Sequence, residues 1–237
     1  MEQVASLFEH VLTRDQRAVA ANDVGFWPAL IRLHGAHDSG LEKTRDVRRR
    51  DLMAQGRDSD GVQGAFDWLD NMAFREGRAR RLTTAGKPGL HDLILIDCPA
   101  EHGPYIGDAL YEWALQDDIL SEDVKAGKPV PMMALQGDMG SAEAPNAALF
   151  LSGVDGLADF VPAFAAMARD AGLICWAGGD GKAGYFGATG DPDALDILAD
   201  HILCEIVTGA RPVRGWRAQF FQALETTGRN SGKPPEY

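Results

Sequence analysis

Short apolar runs alternate with longer stretches of helical periodicity along the chain, and this alternation predicts an α/β fold. Each run is continuous and bounded by glycine, proline or polar residues, as buried strands are. The six predicted strands lie at about residues 29–34, 92–97, 130–135, 148–153, 173–177 and 183–188. Runs without alternation are typical of strands buried on both faces, so we expect a largely parallel central sheet with helices on both faces.

The C-terminal half follows a different order of elements. Residues 147–208 predict strand, helix, strand, strand and helix, with Asp191 and Pro192 at the start of the last helix. This order is typical of a ferredoxin-like half or of an antiparallel edge on the main sheet. The glycine-dense residues 178–190 suit a hairpin turn better than a ligand cradle.

The length of the chain and the lack of a convincing linker within it indicate a single α/β domain over residues 1–237. An amphipathic N-terminal helix is predicted over residues 1–22 and a further helix near residues 216–226. The last residues, about 230–237, are predicted to be a disordered tail.

Composition and charge disfavour nucleic-acid-binding and membrane-spanning classes of protein. The chain has 35 acidic against 23 basic residues, a net charge of -12, and this acidic balance disfavours nucleic acid as a partner. Three widely spaced cysteines indicate reduced thiols and a cytoplasmic location. No apolar run approaches the roughly 20 residues that a membrane span requires. Basic residues within 43–50 and 75–81 are more typical of solvated helix faces than of phosphate contacts.

The stretch HDLILIDCPAEHGPY, residues 91–105, joins the strongest strand pattern to a group of polar residues. Open α/β sheets bind ligands at the carboxyl ends of their strands, which is where Asp97, Glu101 and His102 are predicted to lie. Cys98 beside His102 is a weaker candidate for a nucleophile, because a cysteine in this position is more often a small buried residue.

A second polar junction, DSGLEKT at residues 38–44, follows the predicted strand at 29–34. A glycine-containing turn from strand to helix presents backbone N–H groups to an anion. Together with IDCP at residues 96–99 and Ala109-Leu110 in the next helix, this junction resembles ParA/MinD-type ATPases. Their phosphate loop reads KGGxGKT and their later strand reads IDCPP or IDTPP.

The resemblance implies a nucleotide site. Gly40, Lys43 and Thr44 would bind ATP, Thr44 and Asp97 would lie at the magnesium ion, and Lys43 and Asp97 would carry catalysis. Asp38 stands where the family has its signature lysine, and Glu42 replaces the glycine before Lys43, which makes this a degenerate Walker A sequence. We therefore expect a P-loop-like, nucleotide-binding protein with a degenerate site that acts mainly through protein partners.

Two further interpretations come from the same residues. If the two junctions lie on neighbouring strands, His34, His37, Asp97 and His102 would form a divalent transition-metal site of a hydrolase. Alternatively, the chain is a non-catalytic structural or interaction protein. The sequence leaves open whether it is an enzyme and whether it forms a homo-oligomer.

Overall fold

A computed structural model describes residues 12–82, 93–137, 146–179 and 184–208. The helices are α1 (Arg14–His34), α2 (Asp38–Ala54), α3 (Asp60–Trp68), α4 (Ile106–Ala114), α5 (Ser121–Lys125), α6 (Leu157–Asp170) and α7 (Pro192–Leu203). Short π-helical turns (Leu69–Ala73 and Cys204–Thr208) follow α3 and α7, and a 3-10 turn (Gly103–Tyr105) precedes α4. The strands are β1 (Ala79–Leu82), β2 (Leu93–Cys98), β3 (Met132–Gln136), β4 (Ala147–Ser152), β5 (Ile174–Gly178) and β6 (Tyr185–Gly190). The predicted helix near 216–226 and the predicted tail lie outside the described residues.

The strands form one mixed sheet in the order β1-β2-β3-β4-β6-β5. Among the described strands only β2 and β3 are parallel neighbours, and every other pairing is antiparallel. The α/β class is confirmed, whereas the prediction of a largely parallel sheet is wrong. Continuous apolar runs report two buried faces and not strand direction, so central antiparallel strands covered by helices show the same pattern.

Helices pack against both sides of the sheet at β2, and the side chains of this strand contribute to two cores. Leu93 and Leu95 belong to the core that contains α6 and α7. Ile94, Ile96 and Cys98 belong to the core that contains residues of α1, α3 and α4. This alternation follows from the twofold side-chain period of a strand. Within the described residues, no helix is both long enough and apolar enough to cross a membrane.

The C-terminal half has the predicted order of strand, helix, strand, strand and helix. Strand β6 lies between β4 and β5 and is antiparallel to both, so β4 and β5 run in the same direction and are joined by α6. The start of α7 is also as predicted, since the Asp191 side chain accepts a hydrogen bond from the Ala194 N–H (3.0 Å) and Pro192 occupies the first turn.

The predicted strand at residues 29–34 is wrong, because these residues are the second half of α1. Helix α1 is kinked at Phe26, and helical structure resumes with Pro28 in its first turn, where a missing N–H is tolerated. Leu30 and Ile31 are buried whereas Leu33 is 40% exposed, which is a helical pattern of burial. A six-residue apolar run is too short to distinguish the two structures by periodicity.

Candidate functional site

The junction between α1 and α2 is a tight helix–helix corner. His37 caps α2, with Nδ1 accepting a hydrogen bond from the Gly40 N–H (3.1 Å). A Cβ at Gly40 would overlap the backbone carbonyl oxygens of Gly35 and His34. Gly40 is therefore required by this close approach, and the segment lacks the strand-to-helix geometry that a phosphate loop has.

The other two residues of the predicted phosphate loop, Lys43 and Thr44, also give no support to a nucleotide site. Thr44 is fully buried, and its hydroxyl donates a hydrogen bond to the Gly40 carbonyl oxygen (3.2 Å) in its own helix. Lys43 is exposed on α2. A threonine bonded to the preceding turn satisfies its hydroxyl internally. This geometry gives no support to Thr44 as a magnesium ligand.

The residues at and after the carboxyl end of β2 pack against β1 and the helical layer. Asp97 Oδ2 lies 3.6 Å from Arg78 Nη2, and the Asp97 N–H donates to the Arg78 carbonyl oxygen (2.7 Å). The His102 ring centroid lies 5.4 Å from that of Trp68. Cys98 is buried, and burial raises the pKa of its thiol to about 12, which is unsuited to a nucleophile at neutral pH.

The predicted site residues lie at two places, the corner between α1 and α2 and the carboxyl end of β2. Three cavities formed by described residues have neither Lys43, Thr44 nor Asp97 in their walls. Across the described ranges, no three His, Cys, Asp or Glu residues are placed to hold a metal ion, although His34, His37, Asp97 and His102 are all described. Burial lowers the pKa of His34, and the charges of Arg14 and Lys43 add to this.

A buried charged centre, which sequence patterns did not reveal, joins α1, α2 and α4. Asp108 is 3% exposed and Arg48 is 7% exposed. Asp108 Oδ1 accepts hydrogen bonds from Trp27 Nε1 (2.7 Å) and Arg48 Nε (2.8 Å), and Oδ2 accepts one from Arg48 Nη2 (3.0 Å). The opposite edge of the Arg48 guanidinium donates to Asn22 (2.8 Å) and Asp51. The only trace of this centre in the sequence is the basic run 43–50.

The charges of Arg48, Asp108 and Asp51 are paired with one another within this centre. Burial lowers the pKa of Arg48, but the hydrogen bonds and charges of Asp108 and Asp51 outweigh burial, so the net shift is upward. In the adjacent 450 Å³ cleft, Arg45 makes a two-pronged ion pair with Glu112 (2.7 and 2.8 Å). These ion pairs, together with the hydrogen bond from Trp27 to Asp108, hold three helices together. Because both guanidinium groups are already paired with carboxylates, the cleft offers little to an anionic ligand.

The second half of the sheet has an open face on the side of α1. Phe150, Gly187 and Trp176 are cross-strand neighbours in β4, β6 and β5, so their side chains share this face. A Cβ at Gly187 would overlap the Trp176 indole, which shows that the ring lies flat across β6. Even so, Trp176 is 42% exposed and Ile174 is 71% exposed. Gly187 is therefore part of an aromatic surface and not of a ligand-binding loop.

Among the described strands, β5 forms one edge of the sheet. From residue 173 to residue 179 it reads LICWAGG, without a charge or a proline, in a chain in which 24% of residues are charged. Edge strands of natural proteins usually carry lysine, proline or a bulge, which prevents pairing with another chain. β5 has none of these protections.

Comparisons with protein-family models, with curated proteins and with solved structures find no match to this chain. Function is therefore inferred from the geometry of the chain's own residues.

Proposed function

We propose that this protein acts by binding a partner polypeptide, and that an extended segment of the partner pairs with β5. The observation that supports this proposal is the uncharged edge strand at residues 173–179, in which Ile174 and residues 176–178 are exposed. An added strand gains main-chain hydrogen bonds from such an edge and specificity from alternate side chains. Trp176 and Ile174, two residues apart on one face, would provide the apolar anchors for those side chains.

Charge favours a basic partner over a second copy of the chain. Residues 101–237 carry 9 basic and 20 acidic residues, so this part has a net charge of -11. Asp170 at the end of α6 and Asp193 in the first turn of α7 are exposed in the same half. A partner segment with lysine or arginine beside its apolar positions would be attracted, whereas a second copy would bring another charge of -12.

The nucleotide site at Lys43, Thr44 and Asp97 is not part of this proposal. Helix precedes Gly40 where a phosphate loop follows a strand, and the Thr44 hydroxyl is bonded within α2. The proposal retains the predicted action through a protein partner and does not include catalysis.

The test uses two short synthetic peptides with alternating valine and threonine, one flanked by lysines and one by glutamates. Binding is measured by isothermal titration with the wild type, Ile174→Lys and Ile197→Lys. Ile197 is the matched control, because it is 59% exposed but lies on α7 in the layer that covers the opposite face.

We expect the lysine-flanked peptide to bind the wild type and Ile197→Lys equally, and Ile174→Lys about tenfold more weakly. The glutamate-flanked peptide should bind the wild type more weakly than the lysine-flanked one. Equal binding to all three proteins, or no binding, would overturn the proposal. A wild-type dimer that Ile174→Lys converts to a monomer in sedimentation would show that the occupant is a second copy instead.

A further inference from the structure

A cavity of 210 Å³ lies where the kink of α1 meets the open face of the sheet. Its walls come from α1, α4, β3, β4 and β6, and its apolar lining consists mainly of Phe26, Pro28, Tyr111, Met132, Phe150 and Tyr185. It is separate from the charged cleft, with which it shares no lining residue. Nothing in the proposed binding of a partner at β5 uses it.

Phe26 forms one wall of the cavity in a strained backbone conformation. Its φ of 53° and ψ of -140° make it the only non-glycine residue with positive φ among the described residues. Such a conformation is energetically unfavourable and persists when its surroundings enforce it. The Arg48 guanidinium lies 4.0 Å from the Phe26 ring centroid, and Tyr111 meets the same ring edge-on at 5.8 Å. The kink thus holds an aromatic ring at the cavity wall.

Gly107 keeps part of the cavity empty. It lies in the first turn of α4, and a Cβ there would meet Phe26 Cε1 and Cζ at 3.6 Å, an ordinary van der Waals distance. Neither close packing nor positive φ therefore requires glycine at this position. Glycine is less favourable than alanine within a helix. The absence of a side chain at Gly107 makes the helix less stable but leaves room beside Phe26.

Size and chemistry of the cavity select the ligand. An apolar cavity of about 150 Å³ binds benzene, so a volume of 210 Å³ accommodates one ring with small substituents. Aromatic walls favour an aromatic ring through offset or edge-to-face contacts. The few polar groups include the Ser152 hydroxyl and the exposed Asp23 carboxylate, whereas the Asn22 amide oxygen already accepts from Arg48. Asp23 and the net charge of -12 disfavour an anion.

We infer that this cavity is a binding site for a small uncharged single-ring phenol, its ring beside Phe26, Phe150 and Tyr185 and its hydroxyl toward Ser152 or Asp23. The site adds a small-molecule ligand to a protein whose proposed partner surface lies further along the same sheet face. Each is testable without the other.

The probe is p-cresol, and binding is followed by ligand-observed NMR and isothermal titration. We expect a dissociation constant on the order of 0.1–1 mM for a ligand of this size. Gly107→Met inserts a flexible side chain into the cavity and should weaken binding at least about tenfold. Gly64→Met is the matched control, since Gly64 lies in α3 with open space around it, and it should bind like the wild type.

Two further measurements keep the inference falsifiable if Gly107→Met does not fold. Gly107→Ala, whose methyl group fits, should bind p-cresol more weakly than the wild type while raising the melting temperature. The anion 4-methylbenzoate should bind at least about tenfold more weakly than p-cresol. No saturable binding of p-cresol, equal binding by the wild type and both Gly107 variants, or equal binding of 4-methylbenzoate would overturn the inference. Ile174→Lys should bind p-cresol normally, which separates this site from β5.

Discussion

Replacing Asp108 by asparagine removes the negative charge from a site where Arg48 stays positive and buried. In the native protein both Asp108 oxygens accept hydrogen bonds from the guanidinium, and one also accepts from the Trp27 indole. Asparagine has nearly the same shape and keeps one acceptor oxygen for Trp27. Its amide NH₂ group, however, meets an Arg48 N–H donor where an acceptor is needed.

The expected loss of stability follows from burial. Removing one partner of a buried ion pair costs roughly 3–5 kcal/mol, because the remaining charge has lost both water and its counter-ion. Arg48 keeps its contacts with Asn22 and Asp51, so we expect about 3 kcal/mol, a large fraction of the roughly 5–15 kcal/mol that holds a typical domain together. Glu112→Gln is the control. Its pair with Arg45 is more accessible, with the two side chains 19% and 29% exposed, and its loss should cost about 1 kcal/mol or less.

Urea unfolding at neutral pH, followed by circular dichroism and tryptophan fluorescence, measures both losses. Adding Arg48→Met to Asp108→Asn removes the uncompensated cation and should recover part of the free energy of unfolding. The reasoning would be refuted if Asp108→Asn and Glu112→Gln destabilised the protein equally, or if the double variant were no more stable than Asp108→Asn alone.

Three other measurements test local features. Gly40→Ala should lower the free energy of unfolding by about 1–3 kcal/mol in urea, because the new methyl group overlaps two backbone oxygens; an unchanged midpoint would contradict the corner geometry. The pKa of His34 is lowered by folding, so its contribution to stability is complete above its unfolded value of 6.5 and is lost as the pH falls through 6.5 toward the lower folded value. His34→Gln should therefore lose less stability than the wild type between pH 7.5 and pH 5.5, and equal losses would contradict this. Iodoacetamide at pH 7.5 should leave Cys98 unmodified in native protein while modifying it in urea, and rapid native labelling would show that its thiol is neither buried nor held at a pKa of about 12.

Most strands were predictable because their patterns are local. The runs that became β2, β3, β4, β5 and β6 were each placed to within about two residues, and Asp191-Pro192 marked the start of α7. β1 was not predicted, because its sequence ARRL has two consecutive arginines and neither alternates nor forms an apolar run, and the strand depends on pairing with β2. Strand direction was also not predictable, since burial on two faces looks alike in parallel and antiparallel sheets.

The candidate site depends on contacts between distant parts of the chain. Arg48 and Asp108 are 60 residues apart, and no local pattern links them. Phe26 reaches the cavity wall because α1 is kinked at this residue, which no local pattern marks, and the apolar run at residues 29–34 is too short to distinguish strand from helix. The resemblance at residues 38–44 placed a phosphate loop after a strand at 29–34, whereas those residues are helical.

The position of β6 between β4 and β5 has a consequence for how the sheet is assembled. β6 emerges from the ribosome after both neighbours, so until then β4 and β5 cannot pair through it. β5 and β6 are close in sequence and form a hairpin with a small loop-closure entropy, whereas pairing β6 with β4 must also enclose α6. We therefore expect the hairpin to form first and to join β4 as a unit, with this long-range docking as the slower step of folding. A chain that stops before residue 185 lacks β6 and leaves the inner edges of β4 and β5 open to other chains.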